Sequence, residues 1–235
     1  MTVQVETWSA TQDQYRHLMV YGDSGVGKTR FGATWPRPVF LDADKGMMSV
    51  DTAVGRINIE SWLHLQDAYA LLKSPGAQKQ YDTLVFDTLN EIQHIAMQNV
   101  LGSFPEIKRP YKSLPQVGDY GKALNDFDLL IREFLKLPYH QVFIAQVKKK
   151  EFVTDPIEPQ LTGKHTTPNI ARKMSVIGYM NRTPIASDEG GQVIVPVMYF
   201  NEQEFVSKDR TGKLPASITE PTYDKLAFYW KGGPK

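Results

Sequence analysis

Apolar residues fall along the chain in short runs, separated by longer segments where they recur every three or four positions. The runs HLMVY (17–21), PVFLDAD (38–44), TLVFD (83–87) and QVFIAQV (141–147) are rich in Val, Leu, Ile and Phe. They barely alternate with polar residues, which suits strands covered on both faces of a parallel sheet. Between them, SWLHLQDAYALLK (61–73) places Leu63, Leu65, Ala68, Leu71 and Leu72 largely on one side of a helix. DYGKALNDFDLLIREFLKL (119–137) repeats apolar residues at three and four, and Pro138 follows its end. Strand and helix in alternation predict a doubly wound α/β fold.

Two segments break the rhythm. Residues 102–118 form a Pro-rich, basic stretch, and 148–169 a longer polar one, both expected to be irregular loops. Connections of that length inside a compact domain usually carry function. After Asn169 the chain reads as strands joined by turns: VIGYMNRT, QVIVPVMYF and EFVSKDRTG, with a turn at Glu189-Gly190-Gly191. A β-meander continuing the sheet is expected there, rather than a helical lid.

Composition narrows the class. At 235 residues the chain suits one well-filled α/β domain, read as an N-terminal arm or extra strand (1–16), a core (17–230) and a tail (231–235). Hydrophobic content of 41% and a net charge of +1 describe a globular protein without a basic coat, so nucleic acid would have to be met by local patches. The absence of cysteine excludes disulfides, thiolate zinc sites and a cysteine nucleophile. The five histidines are scattered without ligand spacing. No apolar run reaches membrane-spanning length and the N-terminus lacks a signal-peptide core, so the expected location is cytoplasmic, with no membrane partner.

The candidate chemistry begins directly after the first strand. Gly22-Asp23-Ser24-Gly25-Val26-Gly27-Lys28-Thr29 fits G-x-x-x-x-G-K-[ST] and leads into a helix from about Lys28, with Arg30 in its first turn. Glycines let the backbone wrap a phosphate with its N–H groups turned inward. Lys28 is placed to reach the β- and γ-phosphates of ATP, and the Thr29 hydroxyl to ligate Mg²⁺. Asp87 ends an apolar strand, where an acidic side chain emerges beside the phosphates and holds the metal. The alternative for Asp87 is a cap on the helix that begins at Thr88.

The order PVFLDADKG, LVFDT and VFIAQVKKK after the phosphate loop resembles a RecA-type recombinase core. With QLTGKHTTPNIARKMSVIGYM and VSKDRTGKLP downstream, the chain resembles the phage-encoded RecA-like ATPases of the Sak single-strand annealing and recombination group. The likeness runs over roughly residues 15–225. It implies a RecA-like P-loop NTPase core, with a mostly parallel sheet, helices on both faces and a β-rich C-terminal part.

The resemblance also assigns roles. Asp44 falls where such proteins carry the carboxylate, usually Glu, that orients the attacking water; Asp42 is its reserve. Gln146 falls at the γ-phosphate sensor that signals to the following DNA loop. Lys208 and Arg210, two apart on one strand face, match cations that reach across a subunit interface to a neighbour's γ-phosphate.

The two irregular segments occupy the places of the DNA loops. Lys108, Arg109, Tyr111 and Lys112 lie in the first; Lys148, Lys149, Lys150, Phe152 and Lys164 lie in the second. Cations interleaved with aromatic rings suit single-stranded DNA, although Glu106, Glu151, Asp155 and Glu158 dilute the charge. The implied activity is ATP hydrolysis stimulated by single-stranded DNA, in a ring or filament of identical copies. A single-strand-binding protein is a candidate partner. The competing classes are an AAA+-type loader or remodeller, a small-molecule phosphotransferase, and a nucleotide switch with negligible turnover.

Overall fold

A computed structural model of the protein describes residues 15–103, 114–150, 152, 155–186, 191–200 and 204–234. Strand β1 (His17–Gly22) lies centrally between β5 (His140–Gln146) and β6 (Val176–Ala186), parallel to both. Beyond β5 come β4 (Thr83–Asp87), β2 (Pro38–Asp42) and the edge strand β3 (Gly55–Asn58), all parallel. On the other side the sheet turns antiparallel. There β7 (Gln192–Tyr199) runs back along β6, and β9 (Ser217–Thr219) pairs with the end of β7. The two-residue β8 (Lys208–Asp209) pairs with the start of β6. The fold is therefore the expected α/β architecture with a mostly parallel sheet, helices on both faces and a β-rich C-terminal part.

Each central strand buries alternate side chains on opposite faces, which is why its sequence is apolar without interruption. Met19, Tyr21, Leu84, Phe86 and Phe143 face one layer of helices: α2 (Trp62–Leu72), α3 (Pro75–Gln80), α4 (Leu89–Gly102), α5 (Val117–Phe134) and α6 (Thr166–Lys173). Leu18, Val20, Val85, Val142 and Ile144 face the other, made by α1 (Lys28–Ala33) and α7 (Tyr223–Trp230). In the first layer Phe86 stacks on Phe143 at 4.6 Å and meets Phe134 edge-on at 5.1 Å. Burying each such ring contributes about 1.5–3 kcal/mol.

Polar residues set the helix starts. Ser61, Ser74, Thr88 and Thr222 each accept a backbone N–H three residues on. Asp119 accepts the Gln116 N–H at 2.7 Å, which fixes the entry of α5.

Several expectations are corrected. On α2 only Leu65, Ala68 and Leu72 are buried, while Leu63 and Leu71 are exposed. At about 100° per residue Leu63 lies nearly opposite Leu65, so the five cannot share a face. The polar stretch 148–169 is not irregular throughout. It makes bridges Val147–Pro159 and Ile157–Phe205, and α6 starts at Thr166, with Pro168 in the first turn where its missing N–H costs nothing. EFVSKDRTG supplies only the two strand residues of β8. Residues 1–14 of the expected arm, the expected turn at Glu189-Gly190, and Lys108, Arg109, Tyr111 and Lys112 lie outside the described residues.

Candidate nucleotide site

The site forms at the carboxyl edge of the sheet, where β1, β4 and β5 end side by side. A Cβ on Gly22 would fall 2.1 Å from the Met180 carbonyl oxygen, so only glycine lets the chain leave β1 so close to β6. Gly25 (φ +78°) and Gly27 (φ +106°) are left-handed with open space around them, so the backbone path rather than crowding demands glycine. Left-handed residues alternating with ordinary ones turn successive N–H groups toward one point, which suits an anion.

Lys28 is 6% exposed and donates to Gly22 O at 2.8 Å, Asp23 O at 2.7 Å and Gln146 Oε1 at 3.4 Å. Burial pulls its ammonium down to about 8, against the opposing pull of Asp87, Asp23 and Asp44. Those three acceptors match its three donors, so a phosphate group would bind there by exchange rather than by filling unused capacity. The Thr29 hydroxyl donates to Asp87 Oδ2 at 2.8 Å. Burial raises the Asp87 carboxyl to about 6, the Thr29 bond lowers it, Asp44 and Asp42 raise it further, and Lys28 opposes them. A hydroxyl and a carboxylate at this separation fit Mg²⁺, which needs few protein oxygens beside its waters and phosphate. Bound there, the ion would neutralise charge on the phosphate oxygens. The described residues hold no cluster of three or more His, Asp or Glu able to cage a metal alone.

The turn after β2 is tied to the same place. Ala43 N and Asp44 N donate to Asp87 O at 2.7 and 3.1 Å. Asp44 is largely exposed and lines the cavity; the partial burial of its carboxyl and the nearby Asp42 raise its pKa, with Lys28 opposing. Asp42 is fully buried and spent on Arg56 Nε at 2.7 Å and Lys45 N at 2.8 Å. It shapes the turn, which leaves Asp44 the carboxylate facing the cavity. Arg30 donates to Ser49 O at 3.0 Å and pairs with Asp51, fastening the segment after β2 to α1.

Gln146 connects this pocket to the second polar segment. Its N–H donates to Asn90 Oδ1 at 2.9 Å, and the Asn90 amide donates to Gln160 O. Gln160 N returns a bond to Gln146 O at 2.8 Å. One turn along α4, Gln93 exchanges two bonds with the backbone of Thr162, at 2.8 and 3.2 Å.

Residues 14–211 match the family model AAA_24, described as an AAA domain. The chain belongs to this AAA-domain family. No curated protein matches the sequence. Among solved structures, the flagellar accessory protein FlaH from Methanocaldococcus jannaschii is similar at 10% identity and a TM-score of 0.39, over 88% of this chain and 86% of that one. An AAA domain carrying this phosphate loop is a nucleotide-binding P-loop ATPase.

The cavity of this AAA domain has a volume of about 690 Å³ and brings together the loop residues Ser24 to Arg30, Asp44, Asp87 and Gln146. Lys208 and Arg210 are not among them. Lys208 pairs with Ile177, which pairs with Met19, three residues and roughly 10 Å before Gly22. Lys208 Nζ donates to Ala171 O at 2.7 Å and Arg210 to Arg172 O at 2.6 Å, both at the end of α6. Of the second candidate DNA segment, Lys148 pairs with Glu158 at 3.0 Å, and Lys149, Lys150, Phe152 and Lys164 are exposed. The first segment's Lys108, Arg109, Tyr111 and Lys112 lie outside the described residues.

Sequence reasoning missed Asn90, Gln93, Arg56 and Arg182. Asn90 had one signal: it follows Asp87 by three residues, in the first turn of the helix leaving that strand. Arg182 had none, because what brings it to the cavity is the extension of β6 beyond the end of β1. Among the described residues no helix is long and apolar enough to cross a membrane.

Proposed function

We propose that this AAA domain hydrolyses ATP under the control of single-stranded DNA and works in annealing or recombination as one of several identical copies. The observation that carries this reading is the position of Gln146. Its side chain meets Lys28, while its backbone is tied through Asn90 to the segment that follows β5. A γ-phosphate that takes Lys28 away from Gln146 frees the amide to bond phosphate instead, and the shift is felt at Asn90 and Gln160. Lys28 draws charge from the β- and γ-phosphates, Thr29 and Asp87 hold Mg²⁺, and Asp44 orients the attacking water. Lys148, Lys149, Lys150 and Lys164 follow the DNA phosphates and Phe152, 70% exposed, stacks on a base. For Lys208 and Arg210 to act in trans, a neighbour's cavity must face the far edge of the sheet.

A remodelling ATPase is the second reading, favoured by the family match. The deciding experiment measures ATP hydrolysis with and without a single-stranded oligonucleotide, in the parent and in Lys28→Ala. Turnover raised by the oligonucleotide, and lowered at least a hundredfold by Lys28→Ala, is expected; one lost phosphate-charge donor costs about that much. Turnover indifferent to single strands sinks the DNA reading and favours the remodeller.

A further inference from the structure

A second cavity, of about 480 Å³, opens between α4 and α5 beside the segment 160–162. Among the described residues it shares no lining with the nucleotide cavity. Its volume falls within the ~300–1,000 Å³ of ordinary small-ligand sites. Met97 and Leu101 of α4 and Leu124 of α5 give it apolar walls, and Tyr120, 42% exposed, adds an aromatic ring. Asn90, Gln93, His94, Gln98 and Gln160 add four amides and an imidazole. None of its described lining residues carries a carboxylate, so nothing among them repels a polyanion.

The amides divide into those that hold the walls and those with capacity to spare. Asn90 accepts the Gln146 N–H and donates to Gln160 O, while Gln93, 7% exposed, exchanges both its bonds with the Thr162 backbone. Gly163 sets the segment tightly against α5: its φ is +96°, and a Cβ there would fall 2.6 Å from Leu124 Cδ1. His94 and Gln98 are exposed on α4, where Gln98 donates to Nε2 of the neutral His94 ring at 3.4 Å. That bond leaves the Gln98 carbonyl oxygen as an acceptor and places the imidazole proton on Nδ1 as a donor. Acceptor, donor, apolar walls and an aromatic ring together suit a flat heteroaromatic group, which pairs through its edge and stacks through its faces. An aliphatic side chain would use only the walls. In sequence, the first candidate DNA segment joins α4 to α5, and the second supplies Gln160 and Thr162, followed by the exposed Lys164. A single strand held by both segments therefore passes this cavity.

We infer that the cavity between α4 and α5 receives one unstacked base of a single strand, with Tyr120 stacking on it. The base presses on the wall made by Asn90, Gln93, Gln160 and Thr162, and so reaches Gln146 through bonds that already exist. The inference rests on the proposal that the protein binds single-stranded DNA. Its test compares a labelled thymidine oligonucleotide with an abasic backbone of the same length and charge, by fluorescence anisotropy and by ATP turnover. In the parent, the thymidine strand should raise turnover and the abasic one should not. Tyr120→Ala should weaken the thymidine strand roughly tenfold, the worth of one stacked base, and leave the abasic strand unchanged. Tyr120→Phe keeps the ring and should bind as the parent does; unchanged thermal melts verify both folds. Equal losses on both strands, no loss on either, or a Phe variant as weak as the Ala variant overturns the inference while the DNA reading stands. So does an abasic strand that raises the parent's turnover as much as thymidine, a comparison that needs no variant. A parent that binds neither strand overturns the DNA reading and the inference with it.

Discussion

His140 shows how one buried ring ties stability to pH. Its Nδ1 accepts the Arg16 N–H at 3.0 Å, which requires that nitrogen to carry no proton. Burial lowers its pKa below 6.5; Asp82 opposes the shift, and Arg16 and His17 add to it. The unfolded ring therefore takes up a proton at higher pH than the folded one. The stability that the neutral ring contributes is complete above the unfolded value near 6.5 and is lost as pH falls through the lower folded value. Thermal melts at pH 7.5 and 5 should show this loss in the parent and a smaller one in His140→Gln, which keeps an acceptor but does not titrate. An equal loss in both would move the effect to other groups. At this scale the phosphate loop was legible, because Gly25, Gly27, Lys28 and Thr29 act through backbone conformation and side-chain type at fixed spacing. Asp42 and Asp44 were not separable: two carboxylates two residues apart look alike until Arg56, brought up by β3, occupies one of them.

Among elements, α4 is the one that would carry the proposed coupling. Its first turns supply Asn90 and Gln93, which hold the segment 160–162 against the end of β5. Asn90→Ala should reduce the oligonucleotide stimulation of hydrolysis more than the unstimulated rate, measured side by side. An equal fall in both makes Asn90 a support of the fold alone. Lys208 and Arg210 fasten β8 to the last carbonyls of α6, where cations also meet the helix dipole favourably. The Lys208→Ala/Arg210→Ala pair should lower stability by about 0.5–2 kcal/mol in a urea titration. If the cations also act in trans, the parent's turnover per subunit rises with protein concentration and that of the double variant does not.

The elements most legible in the sequence were the central strands, since both faces are buried and the run is apolar throughout. Edge strand β3 escaped because GRIN buries only part of one face. Helices α3, α6 and α7 are six to eight residues long, too short for a periodic pattern to stand out.

Across the whole molecule, sheet order makes the site. Placing β5 between β1 and β4 brings Lys28 to Gln146, 118 residues away, while Thr29 meets Asp87 across 58. The extension of β6 past β1 adds the opposite wall of the cavity, with Arg182 two residues beyond Met180 on the same face. The sequence by itself determined what depends on neighbours along the chain: the phosphate loop, the buried strands and the carboxylate at the end of β4. These follow from local conformation, periodicity and residue chemistry. Only the tertiary structure decided which carboxylate faces the cavity, that Asn90 joins Gln146 to the following segment, that Lys208 and Arg210 lie on the far edge, and that Arg182 lines the cavity. Each of those depends on the order and register of strands distant in sequence, which are set by packing over the entire sheet.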